Sequence, residues 1–194
     1  MEKHDQVQLD IKETLSLLSA RPPLLSDFLL PSRHEEVVAW RGLEKWRREA
    51  RAESPDIPMD KAWPELHKAL YRQHGLTYPP LLEMFYKPCE MDVLSVLPMR
   101  CRQIVHYLDK TKPLPEHPHE EAVDVGQMID RFASCVDSVP CLLPNSVVWL
   151  RRQFRLVTPA EALTLQGLPL FTTEQLDDWS HTEINSLAGN AFCV

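Results

Sequence analysis

Along this chain of 194 residues the hydrophobic positions recur mostly at helical spacing, in short runs cut by proline. After a polar opening, Leu15, Leu17, Leu18, Leu24, Leu25, Leu29 and Leu30 form an apolar docking segment broken at Pro22-Pro23. Ser32 and Glu35 then make a capping box, in which hydroxyl and carboxylate each take a backbone N–H that a helix start leaves unpaired. Val37, Val38, Trp40, Leu43 and Trp46 follow at helical period, predicting a helix to about Arg51. Its other face interleaves Arg41, Lys45, Arg47, Arg48 and Arg51 with Glu44, Glu49 and Glu53, the pattern of a solvated surface. Beyond a linker at 54–58, Trp63-Pro64 opens a helix through Leu66, Leu70 and Tyr71 that stops at His74-Gly75. Pro79-Pro80 opens a short one through Leu82 and Phe85, and residues 97–108 set Cys101, Ile104, Val105 and Leu108 on one helical face.

The pattern changes after residue 110. Residues 111–121 are polar and proline-rich, a loop. From Val123 to Trp149 the apolar positions alternate, with Val136, Val139, Cys141 and Leu143, then Val147, Val148 and Leu150, and with turns at Asp137-Ser138 and Pro144-Asn145. Near the end, Thr158, Pro159 and Glu161 supply an N-cap, a first-turn proline and a capping-box carboxylate, and Gly167 with Pro169 stops the helix that Leu163 and Leu165 anchor. Thr172 or Thr173 caps a second short helix, Ser180 with Glu183 opens a third, and Gly189 ends it. The expected fold is α+β, mostly short helices with a small two- or three-stranded antiparallel sheet. It divides into a helical region 1–110, a proline-rich loop 111–122 and a C-terminal region 123–194.

At 44% hydrophobic and 25% charged residues the chain has the composition of an ordinary globular domain, and 17 prolines against 5 glycines favour short elements joined by stiff connections. The formal charge of −7 opposes non-specific attraction to phosphates, so any DNA contact has to be weak and local. No apolar run reaches membrane length. Cysteines at 89, 101, 135, 141 and 193 form no CxxC pair, and an odd count without a signal peptide points to reduced thiols in the nucleus or cytoplasm. His117 and His119 with Glu120 and Glu121 form a single local cluster, short of the spaced four-ligand set that zinc uses, and no metal is expected.

Arg155, Thr158-Pro159, Glu161, Leu165-Gln166-Gly167, Pro169 and the terminal Gly189-Asn190-Ala191 with Val194 stand in a recognisable order. They resemble the C-terminal motifs of DNA cytosine-5 methyltransferases, R-x-L-T-P-R-E-C-A-R-L-Q-G-F-P followed after a gap by G-N-A-V-P-V. Residues 131–144 (RFASCVDSVPCLLP) are similar to the end of that family's target-recognition domain. Ala160, Ala162, Leu168 and Cys141 depart from the pattern, standing where the family has arginine, cysteine, an aromatic residue and threonine. Any DNA contact is expected through Arg151, Arg152 and Arg155, the only basic cluster in the recognition-like region without interleaved acids, and the resemblance implies cofactor contact through Gly189, Asn190 and Ala191. Arg100-Cys101-Arg102 reads as surface arginines on the 97–108 helix; it is also similar to the family's Q-x-R-x-R motif, whose arginines help hold the flipped cytosine, with Glu53 in the place of the carboxylate on the base and Pro98 where that motif has glutamine.

The family's reaction needs a thiolate to attack C6 of a cytosine taken out of the duplex, an acid for N3, and an S-adenosylmethionine pocket. Pro140-Cys141 lies just before the Thr158 helix, where the family has no nucleophile, and Pro88-Cys89 lacks the nucleophile's sequence context. No G-x-G turn occurs. The expectation is the C-terminal portion of a cytosine-5 methyltransferase-like protein without catalytic residues, whose S-adenosylmethionine depends on a separate or upstream methyltransferase domain. The alternative is a non-catalytic helical protein-interaction module. Only Phe192, Cys193 and Val194 follow Gly189-Asn190-Ala191, so the C-terminus is expected either to be mobile or to fold Phe192 back on Trp179 and Leu187.

Overall fold

A computed structural model describes residues 24–31, 33, 37–38, 62–114, 116, 118–144, 146–168 and 179–190. Of the helix expected after Ser32, Val37 and Val38 are described and helical, with Val37 buried. The rest of that helix, the helix expected at Thr172 or Thr173, and residues 191–194 lie outside the described residues.

Helix α1 (Ala62–Gln73) ends as its sequence predicts. Gly75 takes a left-handed φ of 66°, its N–H donates to Arg72 O, and the Leu76 N–H reaches back to Tyr71 O at 2.8 Å. This is a Schellman cap, which closes the last carbonyls and favours glycine. Helix α2 (Leu82–Phe85) follows Pro79-Pro80. Helix α3 (Pro88–Ser95), which sequence reasoning passed over, starts with proline at N1, and its Glu90 carboxylate caps the Lys87 N–H at 2.8 Å. Helix α4 (Met99–Thr111) buries Cys101, Ile104, Val105 and Leu108 as expected, and Gln103, His106 and Tyr107 as well.

The fold is α+β, but the antiparallel sheet has four strands where two or three were expected: β1 (Glu121–Asp124), β2 (Ser134–Val136), β3 (Val148–Leu150) and β4 (Arg155–Leu156), in the order β2-β1-β3-β4. Residues 139–143 form no strand. Strand β1 was hidden because it opens and closes on acids, and β4 because it spans only two residues. Helix α5 (Pro159–Leu165) and helix α6 (His181–Asn190) complete the described elements.

Register explains why β1 and β3 are buried along their whole length. Val123 pairs with Trp149, and Trp149 with Leu156; these three side chains join Tyr71, Leu94, Leu97, Ile104 and Leu108 in one core with the helices before the sheet. Ala122 pairs with Leu150, and both join Val148, Leu163, Ile184, Ala188 and Leu25 in a second core beneath α5 and α6. Alternating side chains thus feed opposite faces, each covered by helices, so neither strand can show a polar-out pattern. Residues on both sides of the 111–122 segment share the first core.

Candidate functional site

Of the residues singled out by the sequence, Arg151, Arg152, Arg155, Thr158 and Glu161 lie on the β3–β4 hairpin and α5. Thr158 is the N-cap of α5: its hydroxyl accepts from Glu161 N–H at 3.2 Å and the Glu161 carboxylate accepts from Thr158 N–H at 2.8 Å. At the other end Gly167, at φ 80°, donates to Thr164 O while Leu168 N–H reaches Leu163 O, a second Schellman cap. Both ends of this short helix are closed at residues the sequence had marked, the first by side chains and the second by backbone N–H groups.

Glu161 does more than cap. Its carboxylate, fully buried, takes a bidentate fork from Arg155, with Nη1 on Oε2 at 2.8 Å and Nη2 on Oε1 at 2.7 Å. It also accepts from Leu30 N–H at 2.7 Å, while Arg155 Nη2 donates to Leu30 O at 2.7 Å. Arg155 Nε reaches Gln153 Oε1, and Nη1 also reaches Leu156 O. All five guanidinium donors and both carboxylate oxygens are therefore engaged, which is what permits a charged pair at about 1% exposure. The pair straps residue 30 to the hairpin, a join across 125 residues that no local pattern announces.

Arg151 is likewise internal, 4% exposed, with Nη1 on Glu121 Oε2 at 2.7 Å and Nη2 on Asp109 Oδ1 at 3.1 Å and Lys112 O at 2.6 Å. It ties β3 to β1 and to the end of α4. The expectation of DNA contact through all three arginines is corrected here: Arg151 and Arg155 are committed to carboxylates inside the fold, and a phosphate would reach them only after those pairs broke. Arg152 is exposed, and its Nε donates to His119 O. Glu120 holds the turn that presents it, accepting from the backbone N–H of Arg152 at 2.8 Å and of Gln153 at 3.2 Å. In that turn Phe154 takes a left-handed φ of 49°, a conformation bulky residues rarely adopt, and its ring packs against Trp149 and Tyr86.

Helix α6 starts at the expected capping box, Ser180 N–H on Glu183 and Glu183 N–H on Ser180. It runs one residue past the expected stop at Gly189, to Asn190. A Cβ on Gly189 would lie 2.2 Å from Pro144 N and 2.3 Å from Leu143 C, so this glycine lets the helix press on the 143–144 backbone. Asn190 Nδ2 donates to Ser186 O. The bare face of Gly189 is filled by Pro144, and Asn190 is exposed. Ala191 lies outside the described residues.

Arg100 donates to Gly126 O, and Arg102 is half-buried with Nε lacking a hydrogen-bond partner; burial lowers its pKa. Glu53, its expected companion, is outside the described residues. Cys141 is exposed in the loop before β3 rather than on the strand expected for it, and Cys89 is exposed in the first turn of α3. Among the described residues no group of three or more His, Cys, Asp or Glu side chains could hold a metal, and no helix is long and apolar enough to cross a membrane.

No family model matches this chain, and no curated protein does.

Sequence reasoning missed a buried polar network between α1 and α4. His67 Nδ1 meets Gln103 Oε1 at 2.8 Å; the Tyr71 hydroxyl donates to Gln103 O at 2.7 Å and lies 3.0 Å from His106 Nδ1. Burial pushes the pKa of both imidazoles down, helped at His67 by Arg100 and at His106 by Lys110, and it pushes the Tyr71 phenol up. The Tyr86 hydroxyl donates to Asp109, whose other oxygen faces Arg151, so the network region meets the hairpin through a carboxylate shared by the two.

Proposed function

We propose that this chain is the C-terminal portion of a DNA cytosine-5 methyltransferase-like protein, contributing DNA recognition and the closing elements of a cofactor domain and transferring no methyl group alone. One observation supports the reading: the residues that carry the resemblance are those whose particular chemistry the fold uses. Arg155 and Glu161 form a saturated fork, Thr158 and Glu161 a reciprocal cap, Gly167 a left-handed stop, and Gly189 a backbone approach that a Cβ would block. On this reading S-adenosylmethionine, which supplies the electrophilic methyl group, is bound by a separate or upstream domain. DNA contact, weak and local, falls to Arg152 on the hairpin that Arg151 and Glu120 brace.

The test is labelled-methyl transfer to cytosine-containing duplex, by the purified chain alone and mixed with a methyltransferase domain bearing a glycine-rich turn and a Pro-Cys loop. Transfer is expected only in the mixture. Transfer by the chain alone that disappears on Cys141→Ser or Cys89→Ser would overturn the proposal. A second reading, a helical protein-interaction module, draws on the exposed apolar side chains Leu81, Met84 and Met99, of which Met84 is 84% exposed. It gains if the mixture transfers no methyl group and DNA is not bound even at low salt. Loss of low-salt binding on neutralising Arg41, Lys45, Arg47 and Arg48, with Arg152→Ala silent, would move the DNA site to the upstream segment.

A further inference from the structure

A cavity of about 390 Å³ opens where α1 and α4 end, closed on its third side by residues 129–132. That volume lies within the range of small-ligand sites. Among the residues that line it are His74, Tyr107, Phe132, Ile129, Asp130 and Lys112. His74 and Tyr107 meet edge to face with centroids 5.4 Å apart. Burial raises the pKa of the Tyr107 phenol. Three features favour positive charge. The carbonyl ends of two helices, the negative poles of their dipoles, come together here. Asp130 stands at the rim, with its side chain 36% exposed and Arg131 Nε at 3.7 Å. The Lys112 ammonium already lies 5.6 Å from the Phe132 ring centroid, within the range in which a ring face attracts a cation.

We propose that this cavity binds an organic ammonium group, as in a quaternary or methylated amine, and that Lys112 is its internal competitor. A trialkylated ammonium suits the site better than lysine does. It loses less hydration on burial and offers methyl groups to the rings, whereas the Lys112 ammonium can turn to solvent when displaced.

The test is an amide-resolved NMR titration of the whole chain at fixed ionic strength with choline, with a peptide bearing Nε-trimethyl-lysine, and with sodium acetate. Saturable shifts confined to residues 107–112 and 129–132 are expected with the two ammonium probes and not with acetate. Tighter binding of choline assigns the site to free amines, and tighter binding of the peptide to a modified side chain; both support the shared chemistry. Lys112→Met removes the competitor and should tighten binding severalfold. Asp130→Asn should loosen it, and Phe132→Leu should loosen it by about thirtyfold, the scale of one desolvated cation–ring contact. Lys112 and Asp130 are surface residues whose variants should fold, so the result does not depend on Phe132→Leu. Absence of saturable shifts with either ammonium probe overturns the proposal. So do acetate-induced shifts combined with weaker binding by Lys112→Met, which would make the cavity an anion site.

Discussion

Replacing Glu161 with alanine is the sharpest test of how the C-terminal half holds together. The carboxylate serves four donors at once: two Arg155 nitrogens at 2.7 and 2.8 Å and the backbone N–H groups of Leu30 and Thr158 at 2.7 and 2.8 Å. Removing it leaves the Arg155 guanidinium buried without a counter-charge, which costs about 3–5 kcal/mol. Each amide left unpaired out of water adds about 1–3 kcal/mol. Against a whole-domain stability of about 5–15 kcal/mol, Glu161→Ala should bring the chain close to unfolding at 25 °C. Thr158→Ala, which loses one cap, should cost about 1 kcal/mol. Urea unfolding followed by tryptophan fluorescence compares the two, since Trp149 lies in the adjoining strand. Arg155→Met with Glu161→Leu should be less destabilising than the sum of its single changes, with a coupling of about 2–3 kcal/mol. If Glu161→Ala costs no more than Thr158→Ala, or if the double variant is additive within about 0.5 kcal/mol, the saturated fork does not carry the stability assigned to it.

Acid should loosen the α1–α4 interface. His67 and His106 have lowered pKa values, so the unfolded chain takes up protons first; stability is complete above an unfolded-state pKa of about 6.5 and falls as pH drops through it toward the folded-state values. Melting temperature should decline from pH 7.5 to 5.5, and a double His67→Gln, His106→Gln variant should show a flatter profile; an equal slope in both proteins would contradict this. Gly189→Ala, which in a free helix would gain about 1 kcal/mol, should instead destabilise, because its Cβ meets Pro144 backbone at 2.2 Å. A raised melting temperature would show that the 143–144 backbone yields. Arg151→Ala should cost several times as much stability as Arg152→Ala, since only the former strands Glu121 and Asp109; equal thermal shifts would place both arginines at the surface.

Helix ends and helix faces were written locally. Capping boxes, first-turn prolines and left-handed glycines act through hydrogen bonds between residues a few positions apart, so Thr158 with Glu161, Ser180 with Glu183, Gly75 and Gly167 sit as their neighbours dictate. The apolar face of α4 was legible for the same reason, because period along a helix is a property of the segment alone. Gly189 was read as a stop because its use, room for a backbone 45 positions away, has no local sign. What only the tertiary structure decided was where buried charge goes. Arg151 and Arg155 look in sequence like a basic cluster free for phosphate; the fold takes both, because Glu121, Asp109 and Glu161 reach them from other elements, and a guanidinium once buried is held only by such partners. The same long-range pairing lets β1 begin on a glutamate and end on an aspartate. Polarity along the chain could not reveal a strand whose acids are neutralised or hydrogen-bonded by residues about 20 to 30 positions further on.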